Sequence, residues 1–88
     1  MKLKDGIVLH SFDGEYMAVP TGESAEAFSG VIQNNKTAQF IYQQLLEDTT
    51  VDKITDAMYE KYDAPREVIE SDVTEVIEQL RSAGILDE

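Results

Sequence analysis

Four glutamates on one stretch, Glu67, Glu70, Glu75 and Glu78, are the first residues whose spacing could do chemistry. Paired carboxylates carry acid–base work when a cleft pushes their pKa values apart. These four fall on the outer face of an amphipathic helix, where glutamates are solvated. His10 is the single histidine and has no partners at a metal-ligand spacing. There is no cysteine, which excludes disulfides, thiolate nucleophiles and cysteine-ligated metals. No phosphate loop, no Gly-x-Ser-x-Gly elbow and no Cys/His dyad is present. No catalytic residue, metal site or cofactor is therefore expected. Asp72 stands out, because it sits inside an apolar arc. It is expected to pair with Arg66, with Arg81 or with a basic residue of a partner.

The elements that would position these residues follow from local pattern. Residues 7–12 suit a strand, Asp13-Gly14 suits a tight hairpin turn, and residues 15–19 suit the returning strand. A two-residue turn pairs Phe12 with Glu15, His10 with Met17 and Val8 with Val19 on one face. Ser11 with Tyr16 and Leu9 with Ala18 share the other. Pro20 to Ser24 reads as a loop. Phe28, Ser29, Gly30, Val31, Ile32 and Gln33 predict a short third strand, with Gly30 marking a bulge or a close backbone approach.

Asn34-Asn35 supplies a helix N-cap. Ala38, Ile41, Tyr42, Leu45 and Leu46 form one apolar stripe, with Phe40 beside it. Glu47 to Thr50 breaks that helix and caps the next, whose stripe is Val51, Ile54, Met58 and Tyr62. Pro65 suits the first turn of a third, longer helix. Its apolar positions are Val68, Ile69, Val73, Val76, Ile77 and Leu80, and Gly84 stops it. Ile85 and Leu86 are expected to fold back on the core. The predicted fold is α+β: a winged helix-turn-helix with an N-terminal three-stranded antiparallel sheet followed by three helices, one domain over residues 1–88.

Composition narrows the partners. Eighteen acidic residues against seven basic ones leave a net charge of −11. The basic residues are scattered, whereas a duplex or an anionic membrane is bound through concentrated Lys/Arg. Neither nucleic acid nor membrane is an expected partner. An acidic surface suits a basic peptide or a basic patch on another protein. The N-terminal residues have no apolar run after Lys2 and Lys4, so a cytoplasmic location is expected.

Three stretches carry a resemblance. Residues 28–38, Phe-Ser-Gly-Val-Ile-Gln-Asn-Asn-Lys-Thr-Ala, resemble a short strand leading into an "LN-x-T-A" helix start. Residues 40–45, Phe-Ile-Tyr-Gln-Gln-Leu, resemble "x-I-W-x-x-L". Residues 72–86, from Asp72-Val73 to Gly84-Ile85-Leu86, resemble the ending "D-V-x-x-x-L-x-x-L-x-x-x-G-L-L". The order of elements agrees over nearly the whole chain. Together these are similar to the family of pyrroloquinoline quinone synthesis protein D, PqqD. Asn34 and Tyr42 depart from its common leucine and tryptophan.

The resemblance implies a non-catalytic module. It would bind the leader of a ribosomally synthesised precursor peptide and present it to a modifying enzyme, often a radical S-adenosylmethionine enzyme. The leader would add as a strand to the third strand, in a groove completed by the third helix. Phe28, Ser29, Gly30, Val31, Ile32 and Gln33 are the expected edge. Val73, Ile77 and Leu80 are the expected groove wall. An open edge also allows a strand-paired homodimer. The alternative function is a winged-helix DNA-binding regulator, for which the second helix offers only Lys53 and Lys61. An acyl carrier protein is a third reading. It would need a serine at a helix start, and neither Ser24 nor Ser71 suits.

Overall fold

The computed structural model describes residues 1–22 and 32–88. Among these residues eight elements follow in order: β1 (Lys2–Leu3), β2 (Ile7–Phe12), β3 (Glu15–Pro20), β4 (Ile32–Asn34), α1 (Lys36–Gln44), α2 (Val51–Lys61), α3 (Arg66–Ala83) and β5 (Leu86–Asp87). The fold is α+β, with an antiparallel sheet in the order β2-β3-β4 packed on three helices.

The hairpin has the expected register, with Phe12 opposite Glu15, His10 opposite Met17 and Val8 opposite Val19. Asp13 and Gly14 both take positive φ, 54° and 79°, the combination a two-residue turn needs to match strand twist. One face of the hairpin, with Ile7 and Ala18, enters the core. The other is open, leaving Val8 and Phe12 exposed.

β4 pairs with β3 through Tyr16 and Asn34, Met17 and Gln33, and Ala18 and Ile32. The described strand therefore ends one residue later than expected and begins at Ile32. The first four expected edge residues, Phe28, Ser29, Gly30 and Val31, lie outside the described residues.

Side-chain caps start two of the helices. Asn35 Oδ1 accepts from the Ala38 amide at 2.8 Å, and Thr50 Oγ1 accepts from the Lys53 amide at 3.2 Å. Of the cap pair expected for α1, Asn35 does the capping and Asn34 closes β4. α3 follows Pro65, which cannot donate to a preceding turn. It ends at Gly84 in the left-handed conformation, φ 76°. There the Gly84 amide donates to Arg81 O and the Ile85 amide to Leu80 O, which satisfies two terminal carbonyls.

The turn at Gly84 sends Ile85 and Leu86 back into the core, 2% and 8% exposed. A consequence absent from the expectation is a second, two-stranded sheet: Lys2 pairs with Asp87 and Leu3 with Leu86. Strands of two residues carry no readable alternation, so nothing in the pattern marks them.

The core joins Ile41, Leu45, Ile54, Met58, Ile69 and Val73 with Ile77, Leu80 and the returning Ile85. Leu46, placed on the α1 stripe by spacing, is instead exposed. The helix ends at Gln44, and the periodicity no longer holds one residue beyond the Leu45 cap. Among the described residues, no helix is long and apolar enough to cross a membrane.

Candidate peptide-binding groove

β4 is the last strand of its sheet among the described residues, so its side away from β3 has no strand partner. Beside it lies an open groove of about 660 Å³, walled by β4, the first turns of α1 and one face of α3. The strand wall is Ile32, Gln33 and Asn34. The floor comes from α1: Ala38, Ile41 and Tyr42. The far wall is Asp72, Glu75, Val76, Gln79 and Ala83 of α3, with Leu80 at its foot.

The helical repeat explains which side chains reach that wall. Successive residues are rotated by about 100°, so residues 72, 76, 79 and 83 form one stripe. Residues 69, 73, 77 and 80 form the next stripe, about 100° around the helix. The second stripe is the core: Ile69, Val73, Ile77 and Leu80 are at most 2% exposed. Of the expected wall of Val73, Ile77 and Leu80, one member lines this groove. Val73 and Ile77 are core residues that do not line the groove, and only Leu80 touches it. The apolar arc has two margins, and the groove lies along the Asp72 margin rather than the Ile77 margin. The mixed polar and apolar stripe 72-76-79-83 is the sequence signal for this wall.

A buried polar link holds the strand wall in place. Gln39, 4% exposed, faces inward from α1. Its Oε1 accepts from Asn34 Nδ2 at 2.9 Å, and its Nε2 donates to the His10 carbonyl at 3.3 Å. Asn34 Oδ1 is buried and accepts no hydrogen bond among the described residues. Below it, burial pushes the Tyr42 hydroxyl above its ordinary pKa, and the neighbouring Asn34 side chain acts in the opposite sense. Backbone groups along β4, an apolar floor and a few polar side chains make a surface for an extended chain. Among the described residues, no three His, Asp or Glu side chains group as a metal site.

The sequence-marked charges fall mostly elsewhere. Arg66 pairs with Asp56 at 2.5 Å, and Arg81 pairs with Glu78 and Glu88. Neither arginine takes Asp72, the partner expected for them. Glu67 and Glu70 are exposed on α3 and do not line the groove. His10 is exposed on the hairpin, where its carbonyl rather than its imidazole is used.

The chain also has a match at the level of sequence. The family model "Coenzyme PQQ synthesis protein D (PqqD)" aligns with residues 7–86. The chain belongs to the PqqD family. Among solved structures it is similar to TbiB1 in complex with the TbiA(beta) leader peptide. The TM-score is 0.77 at 21% identity, over 99% of this chain and 95% of that one. It is also similar to lasso peptide synthetase B1 complexed with the leader peptide. There the TM-score is 0.72 at 20% identity, over 96% of this chain and 93% of that one. No curated protein matches the sequence.

Proposed function

We propose that this chain is a recognition domain, spanning residues 1–88, for the leader segment of a ribosomally made precursor peptide. The leader adds as a strand to the free edge of β4 and lies in the groove against α3. Ile32, Gln33 and Leu80 are contacts in this reading. Backbone hydrogen bonds along the edge supply affinity, and the side-chain pockets set register. The observation that carries it is the side of β4 that has no strand partner among the described residues and forms one wall of an open groove. Membership of the PqqD family and the two similar structures, each holding a leader peptide, support it.

The bound leader is then presented to a separate modifying enzyme in the cytoplasm, with no chemistry performed here. The family resemblance suggests a radical S-adenosylmethionine enzyme. Similarity to a lasso peptide synthetase subunit adds a second class of enzyme to test. A strand-paired homodimer would use the same edge and compete with the leader.

The test is calorimetric titration with synthetic leaders of precursors encoded near the gene, beside a control DNA duplex. Saturable binding with Kd on the order of micromolar or tighter is expected, about −8 kcal/mol. It should come with amide shift changes at Ile32, Gln33 and Asn34. Duplex binding without peptide binding would replace this reading with that of a DNA-binding regulator.

A further inference from the structure

Among the described residues the groove is lined by two carboxylates, Asp72 and Glu75, and by no basic side chain. Both residues are exposed, and neither takes part in a salt bridge among the described residues. Several basic side chains are engaged away from the groove, and Lys36, between the groove residues Asn35 and Thr37, does not itself line it. Arg66 holds Asp56, Arg81 holds Glu78 and Glu88, and Lys61 lies over the Phe40 ring at 4.4 Å. Asp72 and Glu75 are one helical turn apart on α3, and both line the groove that β4 also walls. Beyond Glu75 the wall continues through Val76 and the polar Gln79 to the apolar Leu80 and Ala83.

We infer that the groove selects a peptide strand carrying a lysine or arginine, seated between Asp72 and Glu75, with apolar residues placed toward Leu80 and Ala83. This rests on the strand-addition reading and adds to it the chemical class of the ligand. Partly enclosed charge pairs of this kind set register and exclude wrong partners more than they add affinity. A strand with an acidic residue at that position meets two like charges. A strand with a neutral residue leaves both carboxylates facing a groove from which water has been displaced.

The probe is an mRNA-displayed library of random 15-residue peptides, selected on the immobilised protein. Recovered peptides are then synthesised and titrated into wild type, into the Asp72→Asn/Glu75→Gln double variant and into a Glu60→Gln/Glu70→Gln double variant. The last carries the same charge change outside the groove. Lysine or arginine is expected at one fixed spacing from the apolar positions. Those peptides should bind Asp72→Asn/Glu75→Gln about tenfold more weakly, the effect of losing charge-assisted hydrogen bonds to two carboxylates. The Glu60→Gln/Glu70→Gln variant should bind them like wild type. Replacing the peptide's basic residue with norleucine should abolish the difference between the proteins.

Peptides that shift β4 amides but show no basic preference, or that bind Asp72→Asn/Glu75→Gln undiminished, overturn this inference and leave strand addition standing. An equal loss in both double variants also overturns it, because net charge would then be the cause. Failure to recover any peptide that perturbs β4 removes the strand-addition reading itself.

Discussion

The amide group of Asn34 donates to the amide oxygen of Gln39 at 2.9 Å, joining the last residue of β4 to the inner face of α1. Gln39 in turn donates to the His10 carbonyl on β2. One buried side chain thus ties the strand that forms the groove edge to the far strand of its own sheet. Among the described residues β4 has three residues and a single strand neighbour, so this link bears on where the edge lies. Gln39→Leu keeps the volume but leaves the Asn34 amide and the His10 carbonyl without their partner. A buried polar group left unpaired costs about 1–3 kcal/mol. Chemical denaturation should show that loss, and peptide affinity should fall with it. Wild-type affinity in a destabilised Gln39→Leu would mean that the link serves the fold and not the edge.

The two stripes of α3 separate stability from binding. Ile77 is 2% exposed in the core, and Val76, next to it in sequence, lines the groove. Ile77→Val should cost about 0.5–1.5 kcal/mol of stability. It should leave peptide affinity unchanged. Val76→Ala is half-buried and should cost less stability, yet weaken peptide binding severalfold. Denaturant midpoints and calorimetry on the same two variants decide it. Equal binding losses in both would place the peptide against a different face of α3.

That contrast also marks how far the residues alone could be read. The hairpin register, the caps at Asn35 and Thr50, the stop at Gly84 and the return of Ile85 are local events. Each depends on a few neighbouring residues, so each was legible. The groove wall was legible as a helix but not as a face. The apolar arc of α3 is wider than one contact, and only tertiary packing decides which margin meets the core. Gln39 shows the same limit from the polar side. Its burial depends on the His10 carbonyl, 29 residues away, and no local pattern encodes that. The β1–β5 pairing joins the two ends of the chain for the same kind of reason.

Gly84 adopts φ 76°, and a Cβ built there would meet nothing within 4 Å. The cost of Gly84→Ala is therefore conformational alone, about 1 kcal/mol for a side chain in the left-handed region. In a domain of this size that lowers Tm by about 4–8 °C. Because Ile85 and Leu86 depend on the turn, hydrogen exchange at the Lys4 amide, which donates to Ile85 O, should accelerate alongside. A thermal scan showing no shift would mean that the helix end relaxes without loss.

Tyr42 gives the groove a pH signature. Its hydroxyl is held above the ordinary value of 10.0, first by burial, with Asn34 acting in the opposite sense. In the interval between the unfolded and folded pKa values, the folded chain binds more protons. Stability must then fall as pH rises. The contribution is fully present below about pH 10 and is lost as pH climbs through the folded value. Near-ultraviolet absorbance, compared between wild type and Tyr42→Phe, isolates this one ionisation. It should lie above the ordinary tyrosine range, and the pH-dependent loss of stability should be smaller in the variant. A peptide covering the groove buries the same hydroxyl further, so binding should raise its pKa again. By linkage, affinity should then weaken once the hydroxyl ionises. A Tyr42 titration that peptide leaves unmoved would place the bound strand away from the groove floor, even if β4 amides respond.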